Sequence, residues 1–130
     1  MIKDTYLYDA KFSNEPRSIY DGDTVKLDVD LGMLVWAHQE KMRLYGIDTP
    51  ELYGEERAAG IIVRDYVRRE LLGKRCVVQT FKTNSLIERK GKYGRWLAVI
   101  WLRDRNFNKH LIEKGYAKQN FYGDPIPEHW

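Results

Sequence analysis

The sequence contains a single cysteine, Cys76, so no internal disulfide framework can form; stability must come from packing, and the chain suits a reducing compartment. Cys76 itself is expected to be a small buried core residue. No eighteen-residue apolar run occurs, and nothing of signal-peptide length follows Met1-Ile2-Lys3-Asp4. Neither a membrane span nor export is supported, and the expected location is cytoplasmic, or secreted if a leader has been removed. Internal repeats, low-complexity tracts and Gly/Ser linkers are also missing, so one domain is expected from 130 residues with 43% apolar content. His38, His110 and His129 are far apart and show no metal-ligand spacing, which gives no basis for a zinc site. No serine or cysteine stands beside an obvious base, so a nucleophilic triad is unsupported.

Charge, by contrast, is abundant. The net value of +3 is a balance of 22 Lys and Arg against 19 Asp and Glu. Acids gather between Asp21 and Asp30 and again between Asp48 and Glu56, whereas the middle of the chain, from Arg64 to Arg95, leans basic and could meet a polyanion.

The apolar pattern alternates with period two early in the chain. Thr5 to Phe12 reads as a strand, broken by a turn at Ser13-Asn14-Glu15-Pro16 and resuming at Ser18. Val25, Leu27 and Val29 share one face of a second strand that turns at Asp30-Leu31-Gly32, and Met42 to Ile47 forms a third that stops at Asp48-Thr49-Pro50. Helical spacing takes over from Glu55 to Leu72, with Ala59, Ile62, Val63, Tyr66 and Val67 inward, Arg57, Arg64 and Arg68 opposite, and Gly73 as the stop. Cys76 to Phe81 and Trp96 to Leu102 are two further strands, joined by the polar stretch from Lys82 to Gly94. Asn108 is the expected N-cap of a short second helix reaching Lys114 and ended by Gly115. The expected fold is therefore α+β but mainly β: a five-stranded OB-type barrel with a helix between strands three and four and a short helix after strand five.

Three segments carry candidate chemistry. Asp21-Gly22-Asp23-Thr24 puts two carboxylates at a turn into a strand; they are either ordinary solvated turn residues or a chelating pair for a hard cation such as calcium. In Arg43-Leu44-Tyr45-Gly46-Ile47-Asp48-Thr49-Pro50-Glu51, Arg43, Tyr45 and Ile47 share a strand face, and Asp48 and Glu51 lie just beyond the strand end. Arg43 can clamp a phosphate through two parallel hydrogen bonds or serve only as a surface ion pair. Lys90-Gly91-Lys92-Tyr93-Gly94-Arg95-Trp96 is either a basic hairpin tip or a phosphate-binding edge, with Tyr93 able to stack on a base or sugar.

Taken together, Asp21-Gly-Asp-Thr-Val-Lys-Leu27, Arg43-Leu-Tyr-Gly-Ile-Asp-Thr-Pro-Glu51 and Lys92-Tyr-Gly-Arg-Trp-Leu-Ala98 resemble, in order and spacing, the signature segments of the staphylococcal nuclease (thermonuclease) family. Asn108 to Lys118 resembles that family's second helix. The resemblance implies a Ca²⁺-dependent endonuclease that hydrolyses DNA and RNA at the 5′ P–O bond and leaves 3′-phosphate ends. It implies that Asp23 and Asp48 bind Ca²⁺ directly, that the Thr49 carbonyl adds a ligand, and that Asp21 acts through water on the metal. It further implies Arg43 and Arg95 as phosphate clamps, Glu51 as general base, and Lys92 and Tyr93 as substrate contacts. Single-stranded or locally melted nucleic acid is the expected partner, and a monomer the expected state, with a dimer as the alternative. A barrel of the same family that has lost its metal site and only binds is the rival reading.

Departures from the family pattern fall around this centre. The loop Leu52-Tyr53-Gly54 is short and carries no substrate-holding lysine, and Gly91 stands where relatives have an aspartate. The substrate-contacting tyrosine aligns with Phe121, next to Tyr122. The chain stops where a third helix would begin, so part of the barrel is expected to be less covered or covered by a partner chain.

Overall fold

The computed structural model describes residues 5–81, 94–126 and 130. Five strands close a barrel: β1 (Thr5–Lys11), β2 (Thr24–Gly32), β3 (Val35–Leu44), β5 (Arg75–Phe81) and β6 (Trp96–Leu102), in the order β3-β2-β1-β5-β6. Closure comes from a parallel pairing of β3 with β6, in which Arg43 lies opposite Leu97. The short strand β4 (Ile47–Asp48) pairs instead with β8 (Lys118–Gln119), and β7 (Arg105–Asn106) extends β6. Helix α1 (Arg57–Leu71) lies between β3/β4 and β5, and α2 (Phe107–Glu113) follows β7. This is the α+β, mainly β, OB-type barrel expected. Among the described residues no helix is long and apolar enough to cross a membrane.

Strict alternation in β2 buries Val25, Leu27 and Val29, which meet Leu44, Val78, Ile100 and the α1 stripe in one core. Gly73 ends α1 in the left-handed region at φ 74, as a C′ glycine does. Cys76 is buried as expected, and burial, followed by the nearby charge of Asp9, pushes its thiol up to about 12.

Several boundaries differ from the sequence expectation, each for a local reason. Strand one does not resume at Ser18: Pro16–Ser18 forms a 3-10 turn, capped by Glu15 Oε1 accepting from the Arg17 amide at 3.1 Å, and Ile19 makes one isolated bridge to Val25. The turn expected at Asp30-Leu31-Gly32 is a register shift inside the hairpin, where Asp30 Oδ1 accepts from the Gly32 amide at 2.8 Å. The chain reverses two residues later, at Met33 and Leu34, both exposed and both left-handed at φ 55 and 65. The third strand starts earlier, at Val35, and ends at Leu44, so Arg43, Tyr45 and Ile47 do not share one continuous strand face. Gly46 breaks it at φ 82, and a β-carbon there would sit 2.6 Å from the Phe121 ring. In α1 the buried stripe is Gly60, Val63, Val67 and Leu71; Ala59 and Ile62 face solvent. Finally, Asn106, not Asn108, caps α2, its side chain accepting from the Lys109 amide at 3.0 Å. The expected connection from Lys82 to Gly94 lies, apart from Gly94, outside the described residues, as does His129.

His110 on α2 is buried, with Nε2 2.7 Å from the Tyr66 hydroxyl on α1. Burial, then the charges of Arg105 and Lys114, lowers its pKa below 6.5 despite the opposing influence of Glu113 and Glu70. As pH falls through 6.5 the unfolded chain therefore takes up a proton that the folded chain resists, and stability is lost progressively below that point. Because the raised Asp21 carboxyl acts in the opposite direction over this range, the prediction is a difference: from pH 7.5 to pH 5 the wild-type midpoint temperature is expected to drop relative to that of His110→Gln. An unchanged slope in that variant would show that other groups carry the acid sensitivity.

Candidate active site

The barrel closure assembles the charged residues. Thr24 on β2 lies opposite Arg43 on β3, and Met42 lies opposite Trp96 at the start of β6, so Arg43 and Arg95 emerge from neighbouring strands at one rim. Arg95 Nη1 donates to the Thr24 hydroxyl at 3.1 Å. The Asp21–Asp23 turn reaches the same rim, because the Asp23 carbonyl accepts from the Leu44 amide at 2.8 Å and Asp23 Oδ2 accepts from the Thr49 amide at 3.1 Å. A cavity of about 790 Å³ is lined by Asp21, Asp23, Arg43, Asp48, Glu51 and Arg95.

Arg43 is held from several sides. Its Nη1 donates to the Leu44 carbonyl at 2.8 Å and its Nη2 to the Tyr122 hydroxyl at 2.9 Å. The same Nη2 stands 3.3 Å from Asp23 Oδ2 and 3.7 Å from Asp48 Oδ1. The Arg43 and Asp23 side chains are only 12% and 8% exposed, whereas that of Asp48 is 48% exposed, so the pairing with Asp23 is the desolvated one. Asp21 is half-buried and aims Oδ1 at the Asp23 amide at 3.0 Å. Burial first, and then the negative charge of Asp23, raises the Asp21 carboxyl from 3.8 to about 7. Two carboxyl groups thus crowd one small turn, where a cation would relieve them.

Of the residues singled out from sequence, Asp21, Asp23, Arg43, Asp48, Glu51 and Arg95 come together, and the buried Thr49 is tied to them by the hydrogen bond its amide donates to Asp23. Lys92 and Tyr93 lie outside the described residues. Of the two C-terminal aromatics, Phe121 is buried against Tyr45 and Trp130, and it is Tyr122, exposed, that reaches Arg43. Sequence reasoning missed the basic floor of the cavity. Lys26 and Lys41 lie directly opposite each other on β2 and β3 and both line it, along with Arg17, Tyr20 and Tyr53. The alternation of Thr24 and Lys26 with buried neighbours was a usable signal, but the partner strand's register was needed to bring Lys41 beside it.

Comparison with known proteins agrees with this geometry. Residues 41–129 match the model of the family described as staphylococcal nuclease homologue. The thermonuclease of Staphylococcus intermedius is 32% identical over 109 residues, covering 82% of this chain and 58% of its own length. That of Staphylococcus hyicus is 31% identical over 113 residues, covering 80% and 57%. An uncharacterised protein of Methanocaldococcus jannaschii is 30% identical over 123 residues, covering 77% and 55%. The chain spans a little over half the length of these curated relatives. With two thirds of its residues inside the family match, the chain belongs to the staphylococcal nuclease family.

Proposed function

We propose that the chain is one Ca²⁺-dependent nuclease domain that hydrolyses DNA and RNA at the 5′ P–O bond and leaves 3′-phosphate ends. The observation that carries this reading is the convergence of the Arg43 and Arg95 guanidiniums with four carboxylates on one open cavity. The cross-strand pair of Lys26 and Lys41 supports it, since like charges set directly opposite destabilise a sheet unless an anion lies over them. Exposed Tyr20, Tyr53 and Tyr122 around the same cavity offer flat faces on which bases can stack, which favours a single-stranded or locally melted substrate.

In this reading Arg43 and Arg95 grip the nonbridging oxygens of the scissile phosphate, where negative charge grows during attack. The Leu44 carbonyl and the Tyr122 hydroxyl hold the Arg43 fork in one orientation, so little reorganisation is needed when substrate arrives. Glu51, exposed at the cavity wall, takes the proton from the attacking water.

The residues present fit calcium. Among the described residues no three His, Cys, Asp or Glu side chains converge tightly enough to hold a metal alone, but calcium accepts carbonyl and water oxygens beside carboxylates. Asp23 and Asp48 would hold it directly with the Thr49 carbonyl, and Asp21 through water. Thr49 Oγ1 is buried with no hydrogen-bond partner among the described residues, a further oxygen that a cation and its waters can satisfy. When bound, the ion would supply further positive charge to polarise the phosphate.

Digestion of single-stranded DNA, double-stranded DNA and RNA, with Ca²⁺, with Mg²⁺ and with chelator, tests the reading. Cleavage that requires Ca²⁺ and leaves 3′-phosphate ends is expected. Binding without cleavage under every metal would assign the chain to the non-catalytic members of the family.

A further inference from the structure

The buried stripe of α1 begins with a glycine where the neighbouring residues, Ala58 and Ala59, are the better helix formers. Gly60 has no left-handed φ to justify it. What requires it is space. A β-carbon at position 60 would overlap the Glu51 carbonyl oxygen and lie 2.8 Å from the Glu51 carbonyl carbon and 2.9 Å from the Pro50 carbonyl oxygen. All three are main-chain atoms, so no side chain can swing aside to make room.

The same helix end grips this segment in two other ways. Glu56 Oε2 accepts from the Glu51 amide at 3.3 Å, and Arg57 Nη1 donates to the Leu52 carbonyl at 2.9 Å. One turn further along, Val63 packs against Gly22, where a β-carbon would stand 2.6 Å from Val63 Cγ1. Helix α1 therefore bears on both halves of the carboxylate centre, the Glu51 segment through Gly60 and the Asp21–Asp23 turn through Val63. Only Leu52 and Tyr53 separate Glu51 from the one-turn helix Gly54–Glu56 that leads into α1, so this short connection cannot absorb a shift.

We propose that Gly60 is a positioning residue for Glu51: by lacking a side chain it lets the Glu51 main chain lie on the helix, and so sets where the Glu51 carboxylate stands in the cavity. The inference rests on the reading of Glu51 as the general base. Adding one methyl group displaces Glu51 on the order of 1 Å, enough to cost about 10- to 100-fold in turnover.

The test is Gly60→Ala assayed on single-stranded DNA with saturating Ca²⁺, alone and combined with Glu51→Gln, together with its crystal structure. The expected result is a kcat lowered about 10- to 100-fold with KM changed by less than about threefold, and no further loss when the substitution is added to Glu51→Gln. Equal loss in both backgrounds would show a general structural effect and overturn the proposal, as would wild-type kcat in Gly60→Ala. If Glu51→Gln is itself fully active, the base assignment fails. The crystal structure still decides the positioning claim: Glu51 displaced from the helix supports it, and Glu51 unmoved overturns it. Should Gly60→Ala not fold, Glu56→Ala, which removes the acceptor for the Glu51 amide, must lower kcat in the wild-type background and not in Glu51→Gln, or the proposal is wrong.

Discussion

Arg43→Lys is expected to lower kcat on single-stranded DNA in saturating Ca²⁺ by about 10²-fold, with a much smaller change in KM. Lysine is the informative replacement because it keeps the positive charge beside Asp23, so the desolvated carboxylate is not stranded and the barrel still folds. What lysine cannot keep is the fork. Arg43 uses Nη1 to anchor on the Leu44 carbonyl while Nη2 faces Tyr122, Asp23 and Asp48, a division of labour that needs two nitrogens in one rigid plane. A compact ammonium can satisfy the carboxylates or the phosphate but not both from one position. Steady-state kinetics of Arg43→Lys beside Arg95→Lys measure this. Near-normal turnover in Arg43→Lys would mean that charge alone suffices there and that Arg43 serves the carboxylates rather than the substrate.

Legibility in the sequence follows the range of the interaction concerned. Alternation is local, so the inward face of Val25, Leu27 and Val29 could be read directly, as could the end of α1 at Gly73. Register is not local: that Lys41 faces Lys26, or that Arg95 emerges beside Arg43, depends on which strands pair and how β3 closes on β6. The helical stripe is legible at Val63 and Val67, but Ala59 and Ile62 face solvent: Ile62 is more apolar than Gly60, yet close approach of the Glu51 main chain puts the glycine inside. Tyr122 is not legible as the Arg43 partner because 79 residues separate them, and it is the pairing of β8 with β4 and the packing of Phe121 against Gly46 that place the tail at the rim. The charged centre, in contrast, was legible as a set, because the segments that carry it are short and each keeps its acids or arginines within a few residues of a strand end.

The two asparagines around α2 separate a local role from a global one, and their substitution is expected to differ by a wide margin. Asn106 caps the helix with one hydrogen bond to the Lys109 amide, so Asn106→Ala is expected to cost about 1 kcal/mol. Asn108 is fully buried, and its amide spans the barrel closure: Nδ2 donates to the Tyr45 and Ala98 carbonyls at 2.9 Å each, and Oδ1 accepts from the Ile100 amide at 3.1 Å. Asn108→Ala removes a partner from the Tyr45 carbonyl and the Ile100 amide and leaves the Ala98 carbonyl with the Tyr45 amide, an expected loss of about 3 kcal/mol or more. That is a large share of the ~5–15 kcal/mol by which a domain of this size is ordinarily stable. Asn108→Asp should be no better, since a carboxylate can accept from Ile100 but offers nothing to the two carbonyls and buries a charge besides. Urea unfolding of the three variants reads these differences directly, and equal losses for Asn106→Ala and Asn108→Ala would refute the spanning role of Asn108. The consequence reaches the site, because Tyr45 follows Arg43 by two residues and Ala98 follows Arg95 by three. Pinning their carbonyls to one amide holds the ends of β3 and β6 together, and with them the two arginines that must meet one phosphate.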